Sequence, residues 1–199
     1  MQGLSGLSAL TPSRLVLDAG QAWFNIDVDA LRENTTDPID AATTNAIPLG
    51  ATRGGATFNP NRTLRQVEVA GALGPVKGLR RREEVRPSLT VTFIEITPQN
   101  LLQAIAGASA SVSQSGLYRE IRGGPIRDEH YIPNVALLTT YAGTTRPLVI
   151  VLFNALVEES PDIATNDKDE VAIEVTFVGH FDPENLDEEP WAIFHPQAS

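Results

Sequence analysis

Short runs of alternating apolar and polar residues recur along this chain. Each is closed by Gly, Pro, Asn or Asp, and the period of two predicts strands with one wet face. Arg14 to Asp29 is extended and apolar-rich, ending in the alternation Ile26-Asp27-Val28-Asp29. Arg65-Gln66-Val67-Glu68-Val69 alternates again. Arg86 to Ile96 predicts a long strand with Leu89, Val91 and Phe93 on one face and Thr90 and Thr92 on the other. Asn134 to Ala142 and Pro147 to Val157 are apolar and β-branched, and Gly143-Thr144-Thr145-Arg146 between them suits a hairpin. Val171 to Phe181 sets Val171, Ile173, Val175 and Phe177 against Glu174 and Thr176.

One stretch follows the helical period instead. Thr97 is placed to cap it, Pro98 takes the first helical position, Leu101, Leu102 and Ile105 form the apolar stripe, and Gly107 ends it. Between Arg32 and Leu64 the pattern collapses into turn punctuation (Thr-Thr-Asp-Pro, Ile-Pro-Leu-Gly, Arg-Gly-Gly, Asn-Pro-Asn), read as one long loop over 32–64. Ala108 to Gln114 reads as a loop, and Gly123-Gly124-Pro125 as a turn between two short extended pieces. Residues 1–13 read as an N-terminal arm and the acidic 182–199 as a C-terminal arm. The expectation is a single domain over 1–199, mainly β, a sandwich or barrel of seven or eight strands with one short flanking helix.

A chain of 199 residues removes roughly 70% of its unfolded surface from water on folding. Cysteine is absent, which excludes a disulfide framework, a thiolate metal site and a cysteine nucleophile. No apolar run reaches the roughly 20 residues that span a bilayer, so no membrane partner is expected. Met1-Gln2-Gly3-Leu4-Ser5-Gly6-Leu7 lacks the basic start and apolar core of a signal peptide. His130, His180 and His195 are scattered, and no nucleophile elbow, phosphate loop or dinucleotide fingerprint occurs. Nothing singles out a catalytic pair, so the reading is a protein that is not an enzyme, with no cofactor and no metal.

Charge adds one positive feature. The net charge is -10, yet Lys77 to Arg86 contains Lys77, Arg80, Arg81 and Arg82. As a nucleic-acid patch it lacks interleaved aromatics; as a solvated hairpin it is ordinary. The reading adopted is an ion-paired interface with another subunit, because Glu158, Glu159, Asp162, Asp169, Glu170 and the stretch from Asp182 to Glu189 offer acidic surface. A basic and an acidic patch on one chain permit head-to-tail contacts that close into rings or continue as filaments.

Five stretches stand out in combination: Leu49-Gly50-Ala51-Thr52-Arg53-Gly54-Gly55, Gly71-Ala72-Leu73-Gly74-Pro75-Val76-Lys77-Gly78-Leu79-Arg80-Arg81, Leu89-Thr90-Val91-Thr92-Phe93-Ile94-Glu95-Ile96-Thr97-Pro98-Gln99-Asn100-Leu101, Asp169-Glu170-Val171-Ala172-Ile173-Glu174-Val175-Thr176-Phe177, and Phe181-Asp182-Pro183 through Glu189-Pro190-Trp191. Together they resemble the major tail tube proteins of long-tailed bacteriophages (siphophages). The resemblance covers roughly Leu15 to Phe194. None of these motifs is a chemical signature; the specificity lies in their combination and order.

The resemblance implies a β-sandwich with a flanking helix, whose copies form hexameric rings that stack into a hollow tube. The tube conducts phage DNA without sequence-specific binding, and a carboxylate-lined lumen would repel phosphates. It further implies a place in the virion tail after assembly in the bacterial cytoplasm, with tail-tip, tape-measure and tail-terminator proteins as partners beside the chain itself. Candidate lumen residues are Glu68, Thr90, Thr92, Glu174 and Thr176. Candidate inter-subunit residues are Arg53, Lys77, Arg80, Arg81, Arg82 and Trp191. A type VI secretion tube or a distal-tail ring shares the expected fold. A carbohydrate-binding sandwich is the alternative of another class, against which the few, scattered Trp and Tyr residues count.

Overall fold

The computed structural model describes residues 8–34, 36–165, 167 and 170–197. A 3-10 turn (Thr11–Arg14) leads into β1 (Val16–Phe24), followed by helices α1 (Val28–Glu33) and α2 (Pro38–Thr43). Next come β2 (Ile47–Pro48), β3 (Thr52–Asn59), β4 (Arg62–Gln66), β5 (Arg80–Val85), β6 (Ser88–Phe93) and α3 (Pro98–Ala104). The rest is β7 (Ser109–Val112), β8 (Arg119–Arg122), a second 3-10 turn (Asp128–His130), β9 (Ile132–Tyr141), β10 (Leu148–Val157), β11 (Ile173–Gly179) and β12 (Trp191–Phe194). The protein is mainly β, consistent with the sandwich or barrel expected from the alternation.

The main sheet is antiparallel with strand order β2-β1-β9-β10-β11-β6-β3, and β12 adds to β10. It curls. In a flat sheet β1 and β11 would stand three strand spacings apart, roughly 14 Å. Instead the rings of Phe24 and Phe177 meet edge to face at 5.7 Å. A Cβ placed on Gly55 of β3, the last strand of the order, would lie 3.9 Å from the Ala19 Cα of β1, the second, so the sheet nearly closes between β3 and β1. Inside the curl lie Ala22, Phe24, Leu89, Val91, Phe93, Val135, Leu137, Leu152, Ile173, Val175 and Phe177, all buried.

A second core lies on the outside of β9 and β10. Val28 and Leu31 of α1, Ile39 of α2 and Ala46 cover Ala136, Val149 and Val151. Burial on both faces explains why Val135 to Leu138 and Leu148 to Leu152 read as unbroken apolar runs rather than alternation. The hairpin expected between these two strands is present, with Val149 opposite Leu138 and Val151 opposite Ala136.

The stretch 32–64 is not one loop. It holds the end of α1, all of α2, β2, β3 and the start of β4. The turn residues there are caps. The Asp37 side chain accepts a hydrogen bond from the Asp40 amide, with Pro38 at the start of α2. Likewise Asp27 accepts from the amides of Asp29 and Ala30, so Ile26 to Asp29 opens α1 rather than ending a strand. α3 starts on its sequence signals, the Thr97 hydroxyl accepting from the Asn100 amide at 3.1 Å, but it ends at Ala104, so Ile105 and Gly107, expected inside it and at its end, lie beyond it, and the residues it buries are Asn100 and Ala104. Residues 109–112, expected as loop, form β7 paired with β8. The stretch 182–197 is not a free arm, because β12 joins the sheet beside β10. Of the expected N-terminal arm, residues 1–7 lie outside the described residues.

Two buried or constrained asparagines fix the chain's path. Asn134 extends the β1–β9 ladder past its last pair: its amide oxygen accepts from Ile26 N at 2.9 Å and its nitrogen donates to Ile26 O at 3.0 Å. Asn154 interrupts β10 with a φ of 46°. Along one edge β10 pairs with β12 before it and, from Ala155 to Val157, with β11 after it, while β9 holds the other edge on both sides, as far as Ala155 opposite Ile132. The left-handed residue is thus the corner at which one strand passes from one half of the curl to the other.

Candidate assembly surface

β3 and β4 run on from each other, as do β5 and β6, so residues 52–66 and 80–93 make one long two-stranded ribbon. Its inner half, β3 with β6, belongs to the curled sheet. Its outer half, β4 with β5, leaves the body beyond Pro60 and Pro87, where the Arg86 amide still bonds Asn61 O at 2.9 Å. Residues Arg62 to Arg65 and Arg80 to Glu84 are all exposed. The ribbon concentrates charge: residues 60–87 hold seven cations against three carboxylates, leaving eight cations against 22 carboxylates elsewhere.

At its root the ribbon is clasped by Glu189. Arg62 Nη2 donates to Oε2 and Arg82 Nη1 to Oε1, both at 3.0 Å, while Trp191 Nε1 donates to Oε2 at 2.9 Å. Trp191 in turn packs on Phe58 with ring centroids 5.6 Å apart. The Glu189 side chain is only 15% exposed. Burial alone raises the pKa of its carboxyl. The hydrogen bonds from Arg82 and Trp191 and the charges of Arg62 and Arg82 outweigh that, holding it below the usual carboxylate range.

The structure therefore brings Arg82 and Trp191 together, two of the residues expected at an inter-subunit contact, but around a carboxylate of their own chain. Sequence reasoning missed Glu189 as the third member; it passed as one acid in an acidic run. Its only local signal is its place two residues before Trp191. Arg53, on β3, is paired with Glu170. Lys77, Arg80 and Arg81 are exposed on the outer half of the ribbon, and among the described residues none of them forms an ion pair. Arg81 Nη1 instead donates to the carbonyls of Gly78 and Arg80.

Of the candidate lumen residues, four share one face. Thr90 stands opposite Thr176 and Thr92 opposite Glu174 on β6 and β11, with the two hydroxyls of the first pair 2.8 Å apart. Thr57 of β3 continues the row beside Thr90. This face lies opposite the side that carries Leu89, Val91, Phe93, Ile173, Val175 and Phe177 into the core. Glu68 is elsewhere. The strand expected over Arg65 to Val69 ends at Gln66, and Glu68 sits in the exposed coil toward the ribbon tip. The tip residues between β4 and β5 are stitched by Val67 N to Leu79 O at 2.8 Å, not by a longer ladder.

Around the β10 corner lies a cleft of about 560 Å³ lined by Asn154, His180, Asp182 and Trp191 among others. His180 Nδ1 lies 3.1 Å from Asn154 O, its ring meets Tyr131 edge to face, and Glu158 pairs with Arg86 beside it. These contacts hold the corner together. Among the described residues no cluster of His, Asp or Glu could hold a metal ion. No family model matches the chain, and no curated protein matches it.

Proposed function

We propose that this chain is a structural, self-assembling subunit of a hollow tube of the siphophage tail kind, whose copies close into hexameric rings and stack. It acts without catalysis, and its partners are its own copies, the proteins that start, measure and end the tail, and the DNA that passes through. The observation that carries the reading is the ribbon: a small curled sheet extends two of its own strands as an exposed basic arm from an otherwise acidic body. A lone domain gains little from such an arm, since an unsupported two-stranded ribbon is marginal in water. A subunit that must grip a neighbour gains a contact.

The row of Thr57, Thr90, Thr92 and Thr176 with Glu174 supports the same reading, because hydroxyls and a carboxylate on a sheet face would let phosphates slide without adhering. The test is negative-stain microscopy of the purified chain, alone and with a tail-tip complex as nucleus. Rings or hollow tubes are the expected result. A chain that stays monomeric at high concentration in both conditions refutes the proposal.

A further inference from the structure

Arg65 and Arg81 face each other directly across β4 and β5. Like charges in that position destabilise a two-stranded ribbon, and among the described residues no carboxylate pairs with either. Arg81 follows Arg80 and precedes Arg82 in the strand. Because successive side chains project from opposite faces, Arg81 points away from the face on which Arg82 meets Glu189. Lys77 adds exposed positive charge toward the tip, while Arg80, by the same alternation, lies on the face of Arg82. A local arrangement that costs stability, and that no carboxylate among the described residues neutralises, marks a surface made for something else.

We propose that this outer half of the ribbon docks on the acidic turn of a second copy, Asp182 to Glu188, with the Arg65–Arg81 pair as its centre. The inference rests on the assembly reading only in taking the partner to be another copy. Charge complementarity selects the occupant: Asp182, Glu184, Asp187 and Glu188 are exposed, the stretch 182–188 contains no cation, and none of the four forms an ion pair among the described residues. The chain also shows the chemistry once already, since the last carboxylate of the same acidic stretch, Glu189, receives two guanidinium groups from the ribbon root. The outer half would repeat in trans what the root does in cis. A nucleic-acid partner fits less well. Residues 62–82 contain no aromatic side chain on which a base could stack, and the body around the ribbon is strongly acidic.

The experiment uses the full chain in three forms: wild type, Arg65→Glu/Arg81→Glu, and Asp182→Lys/Glu184→Lys/Asp187→Lys/Glu188→Lys. Self-association is followed by sedimentation velocity at low and moderate salt, with microscopy of the same samples. Each reversed chain should associate roughly tenfold or more weakly than wild type, because like charges then oppose each other across the contact. An equimolar mixture of the two should recover association. Should a reversed chain fail to fold, Arg65→Gln/Arg81→Gln carries the test: its association should lose most of the salt dependence that wild type shows.

Wild-type association unchanged in the arginine variants, or no recovery in the mixture, overturns the inference. So does an arginine variant whose only loss is binding to a short DNA duplex. If wild type and Arg65→Glu/Arg81→Glu form equal tubes, the tube reading stands and this one falls. Salt-sensitive association with recovery but without tubes supports the docking contact and refutes the tube.

Discussion

Replacing Glu189 by Gln keeps the side chain's shape and removes its charge, which isolates the clasp from the packing around it. Exposed ion pairs contribute about 0.2–1 kcal/mol each, and hydrogen bonds to a charged group up to about 1.5–3 kcal/mol. Arg62 and Arg82 are 44% and 47% exposed while Glu189 is 15% exposed, so each pair falls between those limits. With the indole bond retained in part by the amide oxygen, the loss comes to roughly 2–3 kcal/mol of ribbon docking. Amide exchange reads it residue by residue. Because a free two-stranded ribbon is marginal, exchange within Arg62–Gln66 and Arg80–Val85 should quicken roughly 30- to 150-fold, at a tenfold change per 1.4 kcal/mol. Rates in β9 and β10 should not change. The same protection should fade in the wild type with acid. A carboxyl whose folded pKa is lowered stabilises the docked form fully above its ordinary value, about 4.3, and loses that contribution as pH falls through the folded pKa. The Gln variant should lack this acid step once intrinsic exchange is corrected for. Equal exchange in the ribbon of both proteins, or an acid step that persists in the variant, would refute the clasp.

Asn134→Leu strands the buried amide and carbonyl of Ile26 and should cost roughly 2–4 kcal/mol, read as a loss in urea midpoint with an unchanged slope. At the β10 corner, Asn154→Gly gives up only the Asn154 Nδ2 hydrogen bond to His180 O and should cost about 1 kcal/mol, whereas Asn154→Val loses that bond and, being β-branched, also resists positive φ, for about 2–4 kcal/mol; equal melting temperatures for the two would mean the corner relaxes without the left-handed residue.

What the sequence made legible divides along a physical line. Strands wet on one face announced themselves: β6 and β11 came with the correct faces, because a period of two survives wherever one side meets water. The start of α3 was readable for the same local reason, its cap and proline being neighbours, but its end was not, since the chain leaves the helix after Ala104, before Ile105 and Gly107. The misreadings cluster where the same residue serves two purposes. Asp27 before Val28, and Asp37 before Pro38, look like turn punctuation or strand alternation until a helix is seen to start on them. The helical stripes are too short to betray themselves, Val28 and Leu31 being one such pair. Most of the candidate interface was likewise legible as composition, a basic run and an acidic run. That Glu189 alone closes on Arg62 and Arg82 depends on contacts across more than a hundred residues, which no local pattern records.

The continuity of β4 with β3, and of β5 with β6, has a mechanical side. A pull on the ribbon tip travels along the strands into the body instead of prying an appendage from its surface. On reaching β6 it is resisted by the ladder to β11, from Ser88 opposite Val178 to Phe93 opposite Ile173, while β3 is drawn along with β6 as the other strand of the ribbon. Those hydrogen bonds lie across the direction of pull, so they are loaded in shear and must yield together rather than one after another. A copy held by its tip would thus carry tension through the middle of its own sheet, and a chain of such copies would behave as a cable of strands joined end to end.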